Sequence, residues 1–525
     1  MAPSPADRDF AQDRRRLEGL VSALQAGRHG EAVEAAEAAL ADGLIHPLPL
    51  RLAATMRQQH GRFEEAVALF QHAVDLSPRD PHGWAALAAC LFAARRPEAA
   101  LESSGQALSL APTEPALLCG RAQILQSLGH LDEAADLYRR ALETDPALFP
   151  ARFGQAQIAV EAGRWDEGAV IARDIRARFG DLPALGWLEA RIAMGQGDFE
   201  GARERIAQIL ADEHLSPDQR AETLLLRGEA LDALNRPTEA FQAAVEGKAI
   251  QRQLYAERAV GGEGEIARLT RLAGWFRAAD PEPWRQAPAP GSGEARTHVF
   301  LVGFPQSGAS RLARILAGHP DVVTLETAPT LAAPYAEFMT SDEGLDRLAS
   351  LNATEAAVWR ARYWAEVRAQ GAEPKGRVFV DEAFAGTLCL PLVAKLFPKA
   401  KVLLALRDPR DMVLACLRTN VQLTPMTYPF TSLTDTAACY DASMTLAGIY
   451  RRVLPLDLLD VRQEDLAEDF DATLAHVAAF LDLPVVPGMR AAQQGASRWR
   501  AYARQLGPVA HLLAPWVERF GYPTD

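Results

Sequence analysis

The residues best suited to chemistry lie in two short runs of the C-terminal half. In GFPQSGAS, Gly303 and Gly308 stand five apart, with Ser310 next but one. This run follows THVFLVG (297–303), an apolar, β-forming stretch that reads as a buried parallel strand, and precedes RLARILAGH, whose spacing is helical. A strand, a glycine-bearing turn and a helix N-terminus together present successive backbone N–H groups to an anion, and glycine permits close approach. The arrangement is the skeleton of the phosphate loop GxxxxGK[ST], but Ala309 occupies the lysine position. A nucleotide hydrolase or kinase built this way would lack its main side-chain contact to the terminal phosphate, although VFVDE (378–382) has the form of the strand ending that accompanies such loops. The second run is KVLLALRD (401–408), another buried strand, which continues as RDPRD. Arg407 at its C-terminal end lies where doubly wound sheets bind ligands. A phosphate loop and an arginine on a later strand suit a ligand with phosphates at both ends.

The expected ligand contacts are the loop Pro305, Gln306, Ser307, Gly308, Ala309 and Ser310, with Arg407 and, behind it, Arg410. The N–H groups of Ser307 to Ser310 and the two serine hydroxyls would face the anion, and the hydroxyls can equally cap the helix. Asp408 and Asp411 flank Arg410 and offer it an ordinary ion pair. Arg311, in the first helical turn, opposes the helix dipole and reads as a solvated side chain unless an anion lies nearby. His298 and His319 have no partners at metal-ligand spacing and read as structural, so no metal is expected.

These segments need a scaffold, and the first half of the chain supplies a different one from the second. Ala32, Ala66, Ala100, Ala134, Gly168 and Ala202 follow each other at a spacing of 34, and Pro78, Pro112 and Pro146 keep the same period. Each period reads as two amphipathic helices, with the small residue where they cross and the proline after the second. Trp84, Leu87, Ala100 and Pro112 sit where the tetratricopeptide consensus wants a large residue, a leucine, a small residue and a helix stop. Six frames run from residue 13 to about 216, and a seventh around Ala240, displaced by four, reads as a cap. The expected domains are therefore an all-α solenoid over 13–250, a linker with one docking helix (IARLTRLAGWFRA) over 251–295 that ends in APAPGSG, and a three-layer α/β domain with a mainly parallel sheet over 296–525. Stacked repeats leave a concave groove, which suits a protein or peptide partner.

Composition sets outer limits. The 525 residues carry 49% apolar and 23% charged side chains, as a soluble multidomain protein does, and a formal net charge of −13 that disfavours nucleic acid and anionic membranes. Five scattered cysteines suit a reducing compartment. No signal-peptide core or membrane-length apolar run is present in the sequence, and a cytoplasmic location is expected.

The ordered motifs also carry a family resemblance. PQSGAS, LAGHPDVV, LRDPRDMVLACL and DVRQEDLAEDFDATLAHVAAFLDLP, between residues 297 and 485, with SRWRAYARQLGP at 497–508, resemble the corresponding segments of sulfotransferases. In particular, they resemble bacterial proteins that fuse tetratricopeptide repeats to such a domain and are related to the tyrosylprotein sulfotransferases. The resemblance implies that the loop grips the 5′-phosphosulfate of 3′-phosphoadenosine 5′-phosphosulfate, that Arg407 holds its 3′-phosphate, and that Arg498 and Trp499 lie over this donor. It also points to Glu326 as the general base, one residue earlier than the family places its glutamate. The implied reaction is sulfuryl transfer to a hydroxyl, with a protein tyrosine as one acceptor. Departures fall on the chemistry: Gln306 replaces a basic loop residue, Glu382 a lysine, Ala415 a serine and Gln463 a tyrosine, and a stretch ahead of Ser497 is short. A domain of this fold with weak or no transfer activity on a repeat scaffold, and a nucleotide hydrolase or kinase, are the alternatives. Glu464 and Asp465 read as caps of the following helix.

Overall fold

The computed structural model describes residues 5–94, 96–258, 263–285, 294–326, 328–383, 385–490 and 497–524. They form two compact units that divide between Ile209 and Leu210. In the first unit, helices alternate in pairs such as Pro81–Ala93 with Pro97–Leu110 and Pro115–Ser127 with Leu131–Thr144. The alanines of the 34-residue series from Ala32 to Ala202 are all 0% exposed. At the remaining position, a Cβ on Gly168 would already press on Val160 at 3.2 Å. Small side chains are thus a packing requirement where the two helices cross. Pro78, Pro112 and Pro146 each follow a helix end, at Leu76, Leu110 and Thr144.

The structure adds a second periodic series. Gly27, Gly61, Gly129, Gly163 and Gly197 hold φ between 70° and 81° in the turns of their pairs, while the pair Pro81–Ala93 with Pro97–Leu110 has Arg95 at the corresponding place in the sequence. Only glycine enters this left-handed region without steric cost. In the seventh pair, Pro217–Ala233 with Pro237–Arg258, the turn uses Asn235 at φ 57°. Asn235 is displaced by the same four residues as Ala240.

That seventh pair belongs to the second unit. The sequence-based solenoid runs on to residue 250, whereas the chain here packs with the α/β domain from Leu210 onward. Leu231, Ala240 and Ala243 join the hydrophobic core of that unit, and polar contacts add to them. The buried Lys248 donates from Nζ to the carbonyl of Thr419 at 2.8 Å, and Arg252 pairs with Asp435 at 2.6 Å. Asp232 receives Arg418 at 2.7 Å, Arg498 at 2.9 Å and the Tyr502 hydroxyl at 2.5 Å. The helix Glu265–Ala278 follows, while the APAPGSG run falls outside the described residues.

The sheet has five parallel strands: β1 Thr297–Gly303, β2 Val322–Leu325, β3 Val378–Glu382, β4 Lys401–Leu406 and β5 Asp457–Arg462. Their spatial order is β2-β3-β1-β4-β5. Phe300, Val302, Phe379, Leu404 and Leu406 face one buried layer of helices that includes Glu265–Ala278 and Leu433–Val453. Val299, Leu301, Val380, Leu403 and Ala405 face the other, formed by Ala309–Ala317 and Phe470–Phe480. Strands buried on both faces explain the unbroken apolar runs in the sequence. After β1 the chain passes to the edge strand β2 and comes back to lay β3 between β2 and β1, then crosses to build β4 and β5 on the other side. β1 and β4 therefore flank the point where the winding reverses.

A buried polar chain ties β1 to β3. Tyr363 donates to Asp381 Oδ2 at 2.6 Å, as Thr330 does at 2.8 Å, so the Tyr363 oxygen accepts from His298 Nε2–H at 2.8 Å. Burial, opposed by these donors, raises Asp381 to about 6, and burial holds His298 down at about 3. His319 accepts from the Asp321 N–H at 3.0 Å. Both histidines thus take structural hydrogen bonds.

Asp232→Ala would leave two guanidinium groups and a phenol without their shared acceptor. A loss of about 2–4 kcal/mol is expected in the urea transition of the second unit, followed by tryptophan fluorescence, with the helical signal of the first unit unchanged.

Candidate functional site

The turn after β1 is shaped by contacts that leave no room for side chains. A Cβ on Gly303 would fall 2.3 Å from Ser307 Oγ and 3.1 Å from the Ala405 carbonyl. Gly308 has φ 87°, and a Cβ there would overlap the Gln463 side chain at 2.3 Å. Gln306 takes the left-handed conformation at φ 68° without glycine's freedom. Ser307 N–H closes the turn onto the Phe304 carbonyl at 3.0 Å. The helix Ala309–Ala317 then begins, and its first-turn N–H groups have no carbonyl of their own helix to bind. Two neighbours brace the turn. Gln463 donates to the Gly308 carbonyl at 3.1 Å, and Cys416 lies under Pro305 with its sulfur 3.3 Å from the carbonyl. Gln463, at the position where the family resemblance has a tyrosine, is thus a buried strut of the loop.

Arg407 leaves the end of β4, the neighbour of β1, and its Nη1 donates to the Gln306 carbonyl at 3.4 Å. It lines the same cavity of about 570 Å³ as the whole 305–310 turn. Arg311 and Arg314 line this cavity too, so Arg311 is not the solvated side chain that its position alone suggests; it reaches Gln463 Oε1 at 3.4 Å. The cavity walls include Phe304, Leu388, Met426 and Phe430.

Two carboxylates share the space with these three arginines. Glu382, at the end of β3, accepts from the Ser310 hydroxyl at 2.7 Å. That hydroxyl therefore faces a carboxylate, where the sequence reading had it face an anionic ligand. Burial raises the Glu382 pKa, the Ser310 bond and Arg314 oppose the rise, and Glu326 adds to it. Glu265, the first residue of its helix, is 5% exposed, and no hydrogen bond reaches its Oε2 among the described residues; Arg268 Nη1 lies 3.5 Å away. Burial pushes Glu265 up to about 7 against the pull of Arg268, with Glu263 adding to the rise. Sequence reasoning began the docking helix at Ile266, left Glu265 in the linker before it and gave it no role. The available signal was its register, four residues before Leu269 on the buried stripe that continues through Leu272 and Phe276.

The other expected site residues lie elsewhere. Glu326 follows β2, is exposed, and is not part of the cavity lining. Arg410 places two nitrogens on Asp408, at 2.9 and 2.7 Å, donates to the Pro523 carbonyl at 2.6 Å and stacks 3.4 Å over Trp499. Asp411 accepts from the backbone N–H groups of Arg498 and Trp499, both at 2.8 Å, and from Ser497 Oγ at 2.5 Å. Arg498 goes on to Asp232. Arg410, Arg498 and Trp499 thus fasten the C-terminal segment to the β4 loop and do not line the cavity. Glu464 is structural by a route other than helix capping: it accepts from Asp408 N–H at 2.9 Å and from Tyr522 at 3.0 Å. Residues 491–496, within the shortened stretch, lie outside the described residues. Among the described residues no group of three or more His, Cys, Asp or Glu gathers as a metal would require.

Residues 298–487 match the sulfotransferase family. Residues 57–116, 115–148 and 188–250 match tetratricopeptide repeat families. Among solved structures, a tetratricopeptide repeat protein from Parabacteroides merdae is 19% identical over 45% of this chain and 93% of its own, with a TM-score of 0.38. A thermophilic repeat protein of Thermus thermophilus is also 19% identical, over 36% of this chain and 98% of its own, with a TM-score of 0.30. No curated protein matches the sequence.

Because the folded state holds Glu265 above an ordinary carboxyl, its ionisation opposes folding. Stability should fall as pH rises from about 4.5 through 7 and level off above that. Glu265→Gln should remove on the order of 2 kcal/mol of that fall, measured by urea titrations at pH 5 and pH 8.

Proposed function

From a chain that joins tetratricopeptide repeats to a sulfotransferase-family domain, we propose an enzyme that moves a sulfuryl group from 3′-phosphoadenosine 5′-phosphosulfate to a hydroxyl. The observation that carries this reading is convergence: the 305–310 turn and Arg407 leave adjacent parallel strands and line one cavity. Main-chain donors at a helix start suit the 5′ end of the donor, and a guanidinium suits its 3′-phosphate. Sulfuryl transfer builds negative charge on the leaving phosphate, and Arg311, Arg314 and Arg407 supply cations around the turn.

The repeats supply the acceptor's docking surface in this reading, which makes a protein or peptide hydroxyl the natural substrate. The resemblance to tyrosylprotein sulfotransferases favours tyrosine. In the first unit a cavity of about 570 Å³, lined by Trp84, Leu91, Arg96 and Glu102 among others, offers mixed apolar and charged contacts to such a chain. No helix among the described residues is long and apolar enough to cross a membrane. The five cysteines are unpaired and buried, which suits a cytoplasmic setting.

One observation favours a second reading, a weakly active or inactive domain. Glu382 stands where the family's lysine would, and its carboxylate takes the Ser310 hydroxyl. It therefore opposes any anion held by the turn.

Thermal shift with adenosine 3′,5′-bisphosphate tests the donor site, because a ligand of the native state raises the midpoint. The full chain should be stabilised by the bisphosphate, and Arg407→Ala should weaken binding about tenfold or more, the effect of losing a charged hydrogen bond. A response to ATP–Mg²⁺ alone would favour a nucleotide hydrolase or kinase, and a response to neither would favour the inactive scaffold. A transfer assay with labelled donor and tyrosine peptides then separates an active from an inactive bisphosphate binder.

Glu382→Gln should tighten bisphosphate binding at pH 8 by about threefold to tenfold, since it removes a carboxylate from an anion site. The wild type should approach the variant as pH falls and Glu382 takes up a proton, which calorimetric titration of both proteins between pH 5 and 8 would show.

A further inference from the structure

Three carboxylates lie in or beside the cavity, and their surroundings differ. Glu326 is exposed outside the lining, and Glu382 is hydrogen-bonded to Ser310 within the anion-binding turn. Glu265 enters from a helix that precedes the family-matched region, is almost fully buried, and keeps one oxygen without a hydrogen bond. A general base needs a lone pair free for the reacting proton, shelter from bulk water, and a place in the chamber that holds the electrophile. Glu382 also keeps one oxygen, Oε2, without a hydrogen bond, but only Glu265 of the three is almost fully buried and is not tied to the 305–310 turn.

We propose that Glu265 is the base that takes the acceptor hydroxyl's proton, an assignment that rests on the sulfuryl-transfer reading of the cavity. The acceptor oxygen forms a bond to sulfur while the bond from sulfur to the bridging phosphate oxygen breaks. The hydroxyl proton passes to a Glu265 oxygen, and the electron pair of the broken bond stays on the phosphate. The products are a sulfate ester and adenosine 3′,5′-bisphosphate, and no other reactant is consumed.

The groups facing Glu265 suit the role. Arg268, one turn along, lies 3.5 Å from Oε2 and is itself held at 3.4 Å from the Tyr335 hydroxyl of the helix Ala332–Phe338. Glu263 precedes it, and Cys439 on Leu433–Val453 is close enough for its thiol to be pushed up further by Glu265, after burial. Burial outweighs the one guanidinium, so the carboxylate accepts a proton near neutral pH and can return it to solvent. The apolar walls Met426 and Phe430 would sit against a phenolic acceptor better than against a sugar hydroxyl.

The test uses the full chain, labelled donor and N-acetyltyrosinamide as acceptor. Glu265→Gln should lower transfer by about 100-fold or more, the usual contribution of a positioned base. Adenosine 3′,5′-bisphosphate should still stabilise it in the thermal shift, and the acid limb of the rate profile should vanish. Glu265→Asp should recover part of the rate. With 4-nitrophenol, a phenol acidic enough to ionise without help, the loss should shrink; a purely structural role would not distinguish the two acceptors. Transfer by Glu265→Gln at the wild-type rate overturns the assignment, as does collapse in Glu326→Gln instead. A wild-type protein that binds the bisphosphate but sulfates neither phenol overturns it too. Absence of bisphosphate binding in the wild type is the separate failure of the donor-site reading.

Discussion

The site depends on one constraint: two adjacent parallel strands, β1 and β4, end at the place where the sheet reverses its winding. Strand β1 delivers a turn so closely packed that Gly303 and Gly308 cannot carry a Cβ, and β4 delivers Arg407. Because the strands are neighbours, backbone donors and a guanidinium that lie about a hundred positions apart in the chain reach one chamber. The cores on both faces of the sheet fix the strands, and so fix the distance between these two elements.

Within that chamber the electrostatics are mixed. Three arginines favour an anion, while Glu382 and Glu265 add negative charge from two different elements. The two carboxylates are not equivalent. Glu382 is held by a hydroxyl beside the turn, whereas Glu265 is carried by a separate helix, is more deeply buried and pairs with Arg268. Burial raises the pKa of both carboxylates, Glu265 to about 7, which lessens the negative charge they present to an anion near neutral pH. Where the negative charge sits therefore matters more to this site than how much of it there is.

The residues expected beside Arg407 serve a different purpose. Arg410, Asp411, Arg498 and Trp499 form a latch between the β4 loop and the C-terminal segment, and Arg498 carries it on to Asp232 of the seventh helical pair, which Arg418 and Tyr502 also reach. The last pair of the 34-residue series is thereby built into the α/β unit. A polar latch of this kind is sensitive to loss of any one partner, because the others then remain buried without a hydrogen bond.

The sequence by itself determined the elements. Period-34 alanines and prolines, apolar runs ahead of a glycine turn and an arginine, and helical spacing after each are local patterns, and backbone sterics with short-range packing suffice to produce them. The left-handed glycines at the same period were equally legible. Tertiary structure decided which side chains share a space. Gln463 as a strut under Gly308, the Ser310 to Glu382 bond, the fastening of Arg410 to the Pro523 carbonyl and the burial of Glu265 beside the 305–310 turn all arise between segments far apart in the chain. The physical reason is that such contacts are set by strand order and helix docking, while spacing along the chain encodes only which face of its own element a residue occupies.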